Sequence, residues 1–196
     1  MTKVVCLHGG PGTGKSTVAA KLFAAMKSNH VNAELVGEVV KQWALEGRKP
    51  VSFDQFLFFG KQSRRESSLF GKVDFIVTDA PVLLTSYYAQ VFGSPEQAAL
   101  FRQMLLTYKN MAIAAGHEHK HYFLTRTKKY DPRWRYQDEA GARQIDEELR
   151  RYIKEMGLTI TEVPGDDTGV REILRAEGCL PTIKLSEYAD PYSDLD

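Results

Sequence analysis

The densest chemical signal near the start of the chain is Gly9-Gly10-Pro11-Gly12-Thr13-Gly14-Lys15-Ser16-Thr17. It fits G-x-x-x-x-G-K-[ST], with a β-rich run before it and a helical run after it. Side chains this small let successive backbone N–H groups from Gly10, Gly12, Thr13 and Gly14 turn inward and wrap a polyphosphate. A helix opening near Lys15 adds its positive N-terminal end to the same pocket. Lys15 is placed to reach the β- and γ-phosphates, the Ser16 hydroxyl to meet Mg²⁺, and Thr17 to touch the α-phosphate. The pattern therefore predicts a nucleoside triphosphate site and leaves the second reactant open.

Two carboxylates stand where such a site needs them. Asp79 follows the apolar run Phe75-Ile76-Val77-Thr78, and an acid at the end of that strand lies beside the loop and helps Ser16 hold the metal. A plain turn aspartate before Pro81 is the competing reading. Glu38 lies in Gly37-Glu38-Val39-Val40-Lys41-Gln42-Trp43, just past a second strand. There a carboxylate faces the cleft above the sheet. It can accept the proton of an acceptor hydroxyl or hold that hydroxyl in line with the γ-phosphate. The competing reading is a first-turn glutamate favoured by the helix dipole.

Two further stretches bear on the acceptor and on closure. The helix from Asp54 carries Phe53, Gln55, Phe56, Phe58, Phe59, Gln62, Arg64 and Arg65. Aromatic faces with an amide and a guanidinium make a slot for a planar base, with Phe59, Gln62 and Arg65 as the candidate contacts. Phe56 and Phe59 also fit a core role at this spacing. Residues 126–137 pack Arg126, Lys128, Lys129, Arg133 and Arg135 into a short connection ahead of a helix. Arginines over a transferring phosphoryl group stabilise its spreading charge, so this connection reads as a basic lid, with Arg133 and Arg135 as the clamps. Trp134 between them either stacks on adenine or anchors the lid. His117-Glu118-His119-Lys120-His121 has ligand-like alternation but lacks an evident fourth ligand, and reads as a surface cluster.

Positioning these groups takes an α/β chain in which short β-rich runs alternate with helices. Strands are predicted at 3–7, 33–36, 73–78, 121–125 and 159–163. Helices are predicted at 15–27, 38–46, from an Asp54 N-cap to about 70, 81–89, 96–115, 138–156 and 170–176. The result is a five-stranded, mostly parallel sheet flanked by helices. One domain spans 1–177, and a Pro-, Tyr- and Asp-rich tail follows at 178–196.

Composition removes several classes. Lys+Arg 26 against Asp+Glu 25 gives a net charge of +1, so no long-range basic field for gripping nucleic acid is present. Cys6 and Cys179 are far apart and form no C-x-x-C, which argues against a disulfide framework or a zinc site. The longest apolar runs are short and interrupted, and MTKVVCLHGG reads as a strand entering a glycine loop rather than a leader. The expected compartment is cytoplasmic and reducing.

Residues 3 to 175 resemble a P-loop kinase, most closely the nicotinamide riboside kinase-like and phage nucleotide kinase-like branch. The resemblance rests on GGPGTGKST, the carboxylate Glu38, the helix with Gln55 and Gln62, VDFIVTDAP, and RWRYQDEAGARQID. GEVVKQW is similar to the segment that supplies the base in deoxynucleoside kinases. The resemblance implies the P-loop kinase fold, ATP, Mg²⁺, arginines in the lid, and a nucleoside or nucleotide as acceptor. One departure is that Ala80 and Pro81 follow Asp79 where deoxynucleoside kinases carry an arginine, which shifts transition-state charge onto the lid. A related phage group phosphorylates 5-hydroxymethyluracil in DNA, an acceptor that the basic connection would suit. An NTP-hydrolysing switch is the alternative from a different class, although no device for positioning water is evident.

Overall fold

The computed structural model describes residues 1–127, 129–131 and 137–180. The sheet is formed by β1 (Lys3–His8), β2 (Ala33–Val36), β3 (Phe75–Thr78), β4 (Glu118–Thr125) and β5 (Ile160–Pro164), in the order β2-β3-β1-β4-β5. All four pairings are parallel. Parallel neighbours need crossover helices, which are α1 (Lys15–Ser28), α2 (Val40–Leu45), α3 (Asp54–Ser67), α4 (Val82–Phe92), α5 (Pro95–Ala114), α6 (Glu139–Glu155) and α7 (Asp167–Ala176). This is the α/β P-loop NTPase and kinase-like fold that the sequence predicts.

Each face of the sheet is covered. Val5, Leu7, Val77, Leu124 and Val163 pack against Val18, Leu22 and Met26 of α1 and Ile173 of α7. The opposite face buries Phe123 against Leu83 and Tyr87 of α4, Phe101 of α5, and Leu149, Tyr152 and Ile153 of α6. Val4, Cys6, Val36 and Ile76 form a smaller apolar cluster on the β2–β3–β1 side. Because the strands are parallel and buried on both faces, their C-terminal ends meet at one rim, where open α/β sheets bind ligands.

Several boundaries differ from the sequence reading for identifiable reasons. Phe53, not Asp54, occupies the N-cap of α3; Asp54 lies in the first turn, where its carboxylate accepts the Val51 N–H at 2.8 Å. Helix α2 starts at Val40, so Glu38 belongs to the turn after β2 and not to a helix. Helix α7 begins three residues earlier than predicted, because the Asp166 side chain caps Thr168 N–H. Strand β4 also starts three residues early, since Lys3 pairs with Glu118 and draws the histidine-rich run into the ladder.

That extension corrects the surface-cluster reading for His119 and His121, while Glu118 and Lys120 stay paired at the surface. His119 and His121 project from β4 onto the helix-covered face. The His121 Nδ1 lies 2.9 Å from Nε2 of fully buried His8, and His119 Nε2 lies 3.9 Å from the buried Glu66 carboxylate. Tyr108 donates to that same carboxylate at 3.0 Å. A polar seam therefore runs under the helices from β4 to the base of the glycine loop.

Candidate active site

The site is assembled where β1 ends. After His8 the chain turns through Gly9, Gly12 and Gly14, all at positive φ, before α1 begins. Gly14 occupies the N-cap of α1 in the left-handed region (φ 92°), where a side chain is strained. No side chain caps α1, and its first turn holds no acidic residue. By contrast, α5, α6 and α7 are capped by Ser94, Asp138 and Asp166. The 14-residue α1 thus presents its first N–H groups and its positive end to whatever sits in the loop.

Lys15 arches back over that loop, with Nζ donating to the Gly9 carbonyl at 2.6 Å and the Gly10 carbonyl at 3.0 Å. Buried Thr13 donates its hydroxyl to the Gly10 carbonyl at 3.0 Å. Ser16 and Thr17 are exposed at the mouth. Beneath the loop, burial first, then neighbouring His121 and Lys15, hold His8 well below the ordinary histidine range.

Asp79 follows β3, and β3 pairs with β1 through Thr78 and Cys6, so Asp79 leaves the sheet beside the strand that carries the loop. It is 6% exposed, yet its Oδ1 has no hydrogen-bond partner among the described residues. A buried, unsatisfied carboxylate oxygen is costly unless a cation faces it. The residues present therefore fit a divalent ion held by Asp79, with the exposed Ser16 hydroxyl at the same mouth.

One correction concerns Gly10. Its N–H does not turn into the loop but donates to Asp146 Oδ1 of α6 at 2.5 Å. Asp146 Oδ2 accepts from Arg126 Nε at 2.6 Å, and Arg126 reaches the Pro11 and Ala142 carbonyls at 2.8 Å each. Sequence reasoning missed Asp146. The available signal was an acid in register with Ala142, Leu149 and Ile153 on the buried stripe of α6.

The residues expected to face an acceptor lie around the ends of β2 and β3. Glu38 is half-buried in the turn after β2. Burial, followed by the carboxylates of Glu38 and Asp146, raises the Tyr88 hydroxyl above the ordinary tyrosine range. Arg65 donates to the Gly37 carbonyl at 3.1 Å, one residue from Glu38. Gln62, 3% exposed, donates to the Thr78 hydroxyl at 3.4 Å, next to Asp79. Phe59 is not a free stacking face: it is 6% exposed and packs edge-on against Phe101 at 5.7 Å within the core. Trp43 of α2 instead shows an aromatic surface, sandwiched between Phe58 at 4.9 Å and the Arg48 guanidinium at 3.7 Å.

Of the basic connection, Arg126 and Tyr130 rest on the loop, and a methyl group on Gly12 would stand 3.0 Å from the Tyr130 ring. Arg133, Trp134 and Arg135 lie outside the described residues, as does the tail from 181. Among the described residues no helix is long and apolar enough to cross a membrane.

The family described as AAA domain matches residues 4–171. No curated protein sequence matches the chain. Among solved structures, NadR in complex with NAD and AMP-PNP superposes with a TM-score of 0.64 at 18% identity, over 96% of this chain and 52% of that one. The chain thus spans about half the length of NadR. Deoxyadenosine kinase from M. mycoides superposes at 0.58 and 15% identity, over 90% of this chain and all of the other. YorR from Bacillus subtilis, in complex with phosphorylated GDP, superposes at 0.51 and 19% identity, over 89% and 95%. At these identities the likeness is one of fold.

Proposed function

The chain belongs to the AAA domain family, and on that premise we propose that it is an ATP-dependent kinase acting on a hydroxyl of a nucleoside or nucleotide. The observation that carries this reading is one rim shared by three strand ends: the glycine loop after β1, Asp79 after β3 and Glu38 after β2. The loop offers an uncapped helix N-terminus and Lys15, and Glu38 adds a half-buried carboxylate beyond Asp79. A hydrolytic switch does not require that second carboxylate. The neighbours bound to NAD with an ATP analogue, to dCMP and dCDP products and to a phosphorylated guanine nucleotide favour the same class of acceptor.

In this reading the triphosphate takes over from the Gly9 and Gly10 carbonyls as partner of Lys15, and the α1 N–H groups hold its oxygens. Asp79 and Ser16 hold Mg²⁺, which supplies charge neutralisation at the phosphates when bound. Glu38 accepts the proton of the attacking hydroxyl and keeps that oxygen aligned. Arg65 and Gln62 flank the acceptor, and Arg65 steadies the turn that carries Glu38. Arg133 and Arg135, which lie outside the described residues, keep in this reading the charge-stabilising role expected from the sequence.

The test is labelled ATP with a panel of nucleosides, nucleotides, nicotinamide riboside and DNA containing 5-hydroxymethyluracil. Transfer to one of the small acceptors is expected. Transfer to the DNA alone, with binding that weakens steeply as salt rises, would move the acceptor to a base in nucleic acid. ATP turnover that no acceptor accelerates would overturn the kinase reading in favour of a switch.

A further inference from the structure

We infer that Arg126 and Asp146 form a latch that holds the glycine loop in its receptive shape. The inference rests on the proposed reading of the loop only for its consequence, ATP binding; the latch itself is a statement about the nucleotide-free chain.

Asp146 lies on the buried stripe of α6, between Ala142 and Leu149, and is 7% exposed. An acid there loses hydration, and a buried ion pair rarely adds net stability over an apolar pair of similar size. The geometry shows what the pair does accomplish. Both carboxylate oxygens are used, one by the Gly10 N–H and one by Arg126 Nε. The two remaining guanidinium nitrogens of Arg126 bind the Pro11 carbonyl on the loop and the Ala142 carbonyl on α6. Every bond thus ends on the loop, on α6, or within the pair.

The backbone approaches as closely as the side chains do. A methyl group on Gly10 would lie 2.6 Å from the Ala142 carbonyl and 2.7 Å from Asp146 Oδ1, so α6 docks directly on the loop. Arg126 is the first residue after β4, and Asp138 caps α6. The same grip orients the Gly9 and Gly10 carbonyls that hold the Lys15 ammonium. A loop shaped before its ligand arrives spends less binding energy on ordering. Arg126 and Asp146 act through the loop and are positioning residues.

Two near-isosteric variants test this. Asp146→Asn removes the charge facing Arg126, and Arg126→Lys keeps charge but loses the fork. Hydrogen–deuterium exchange of the peptide spanning 9–17 is measured on the nucleotide-free full chain. It is expected to accelerate roughly tenfold in both variants, the scale of one charge-assisted hydrogen bond, while peptides from β3 and α7 stay at wild-type rates. ATP and ADP affinity should fall by about the same factor, with the KM for the acceptor unmoved. The double variant Arg126→Met/Asp146→Leu should fold as well as wild type yet leave the loop unprotected. A merely structural pair would be rescued by that apolar replacement. Wild-type exchange of the loop in both single variants would overturn the latch, as would restored protection in the double variant. If the wild-type chain binds no ATP, the proposed function fails, while the exchange rates still decide the latch.

Discussion

The two sides of the cleft are built by different means. On the nucleotide side the backbone is wedged: a methyl group on Gly10 or on Gly14 would lie 2.6 Å from a carbonyl oxygen, of Ala142 and Gly165 respectively. On the acceptor side, Gly37, Gly47 and Gly60 have nothing within 4 Å of such a methyl group, and α2 buries none of its residues. A triphosphate presents the same oxygens whatever its base, so backbone amides in a frozen loop suffice to bind it. An acceptor is distinguished by side chains, and these sit on elements with room to adjust.

If this contrast is sound, the largest losses come from the frozen side. Lys15→Ala should lower phosphoryl transfer by about 10³-fold, since one preorganised group facing developing charge is worth 10²–10³ or more. Steady-state turnover with ATP and the best acceptor checks this, and near-normal transfer would remove the loop from the mechanism. Glu38→Gln should slow transfer by about 10²-fold while ATP affinity holds, the signature of a lost proton acceptor. A collapse of ATP affinity instead would assign Glu38 to the metal.

A third expectation concerns the floor shared by both sides. Burial, followed by His119 and Lys109, holds His121 down at about 3, and burial first holds His8 well below its usual range. The folded state therefore resists protonation more than the unfolded chain does. Stability is complete above the ordinary histidine pKa and is lost as pH falls below it toward the folded values. The slope is about 1.4 kcal/mol per pH unit for each histidine. Urea midpoints between pH 7 and pH 5 should fall accordingly, and a flat profile would mean that these rings are hydrated. The smallest effect should come from the open side. Gly60→Ala in α3 adds a methyl group into free space and should raise stability by about 1 kcal/mol, visible as a higher Tm.

The same contrast explains what could be read from residue order alone. The loop, Asp79 and the five strands were legible because each depends on local pattern: glycine spacing, an acid ending an apolar run, and alternation of strand and helix. The position of Glu38 just past β2 was legible for the same reason. Asp146 was not legible, because its meaning comes from a contact with Gly10 across 136 positions of chain. Phe59 could not be separated from Phe58 by spacing, and only packing against Phe101 shows it to be core. His119 and His121 look solvated until the pairing of β4 with β1 draws them inside.

The chain contains two tryptophans, Trp43 on α2 and Trp134 in the basic connection. Among the described residues, indole emission therefore reports on α2. With Trp43 pressed between a guanidinium and a phenyl ring, any small molecule that shifts α2 will change its quantum yield. The protein carries its own optical reporter of movement in α2, usable without a label or a coupled assay.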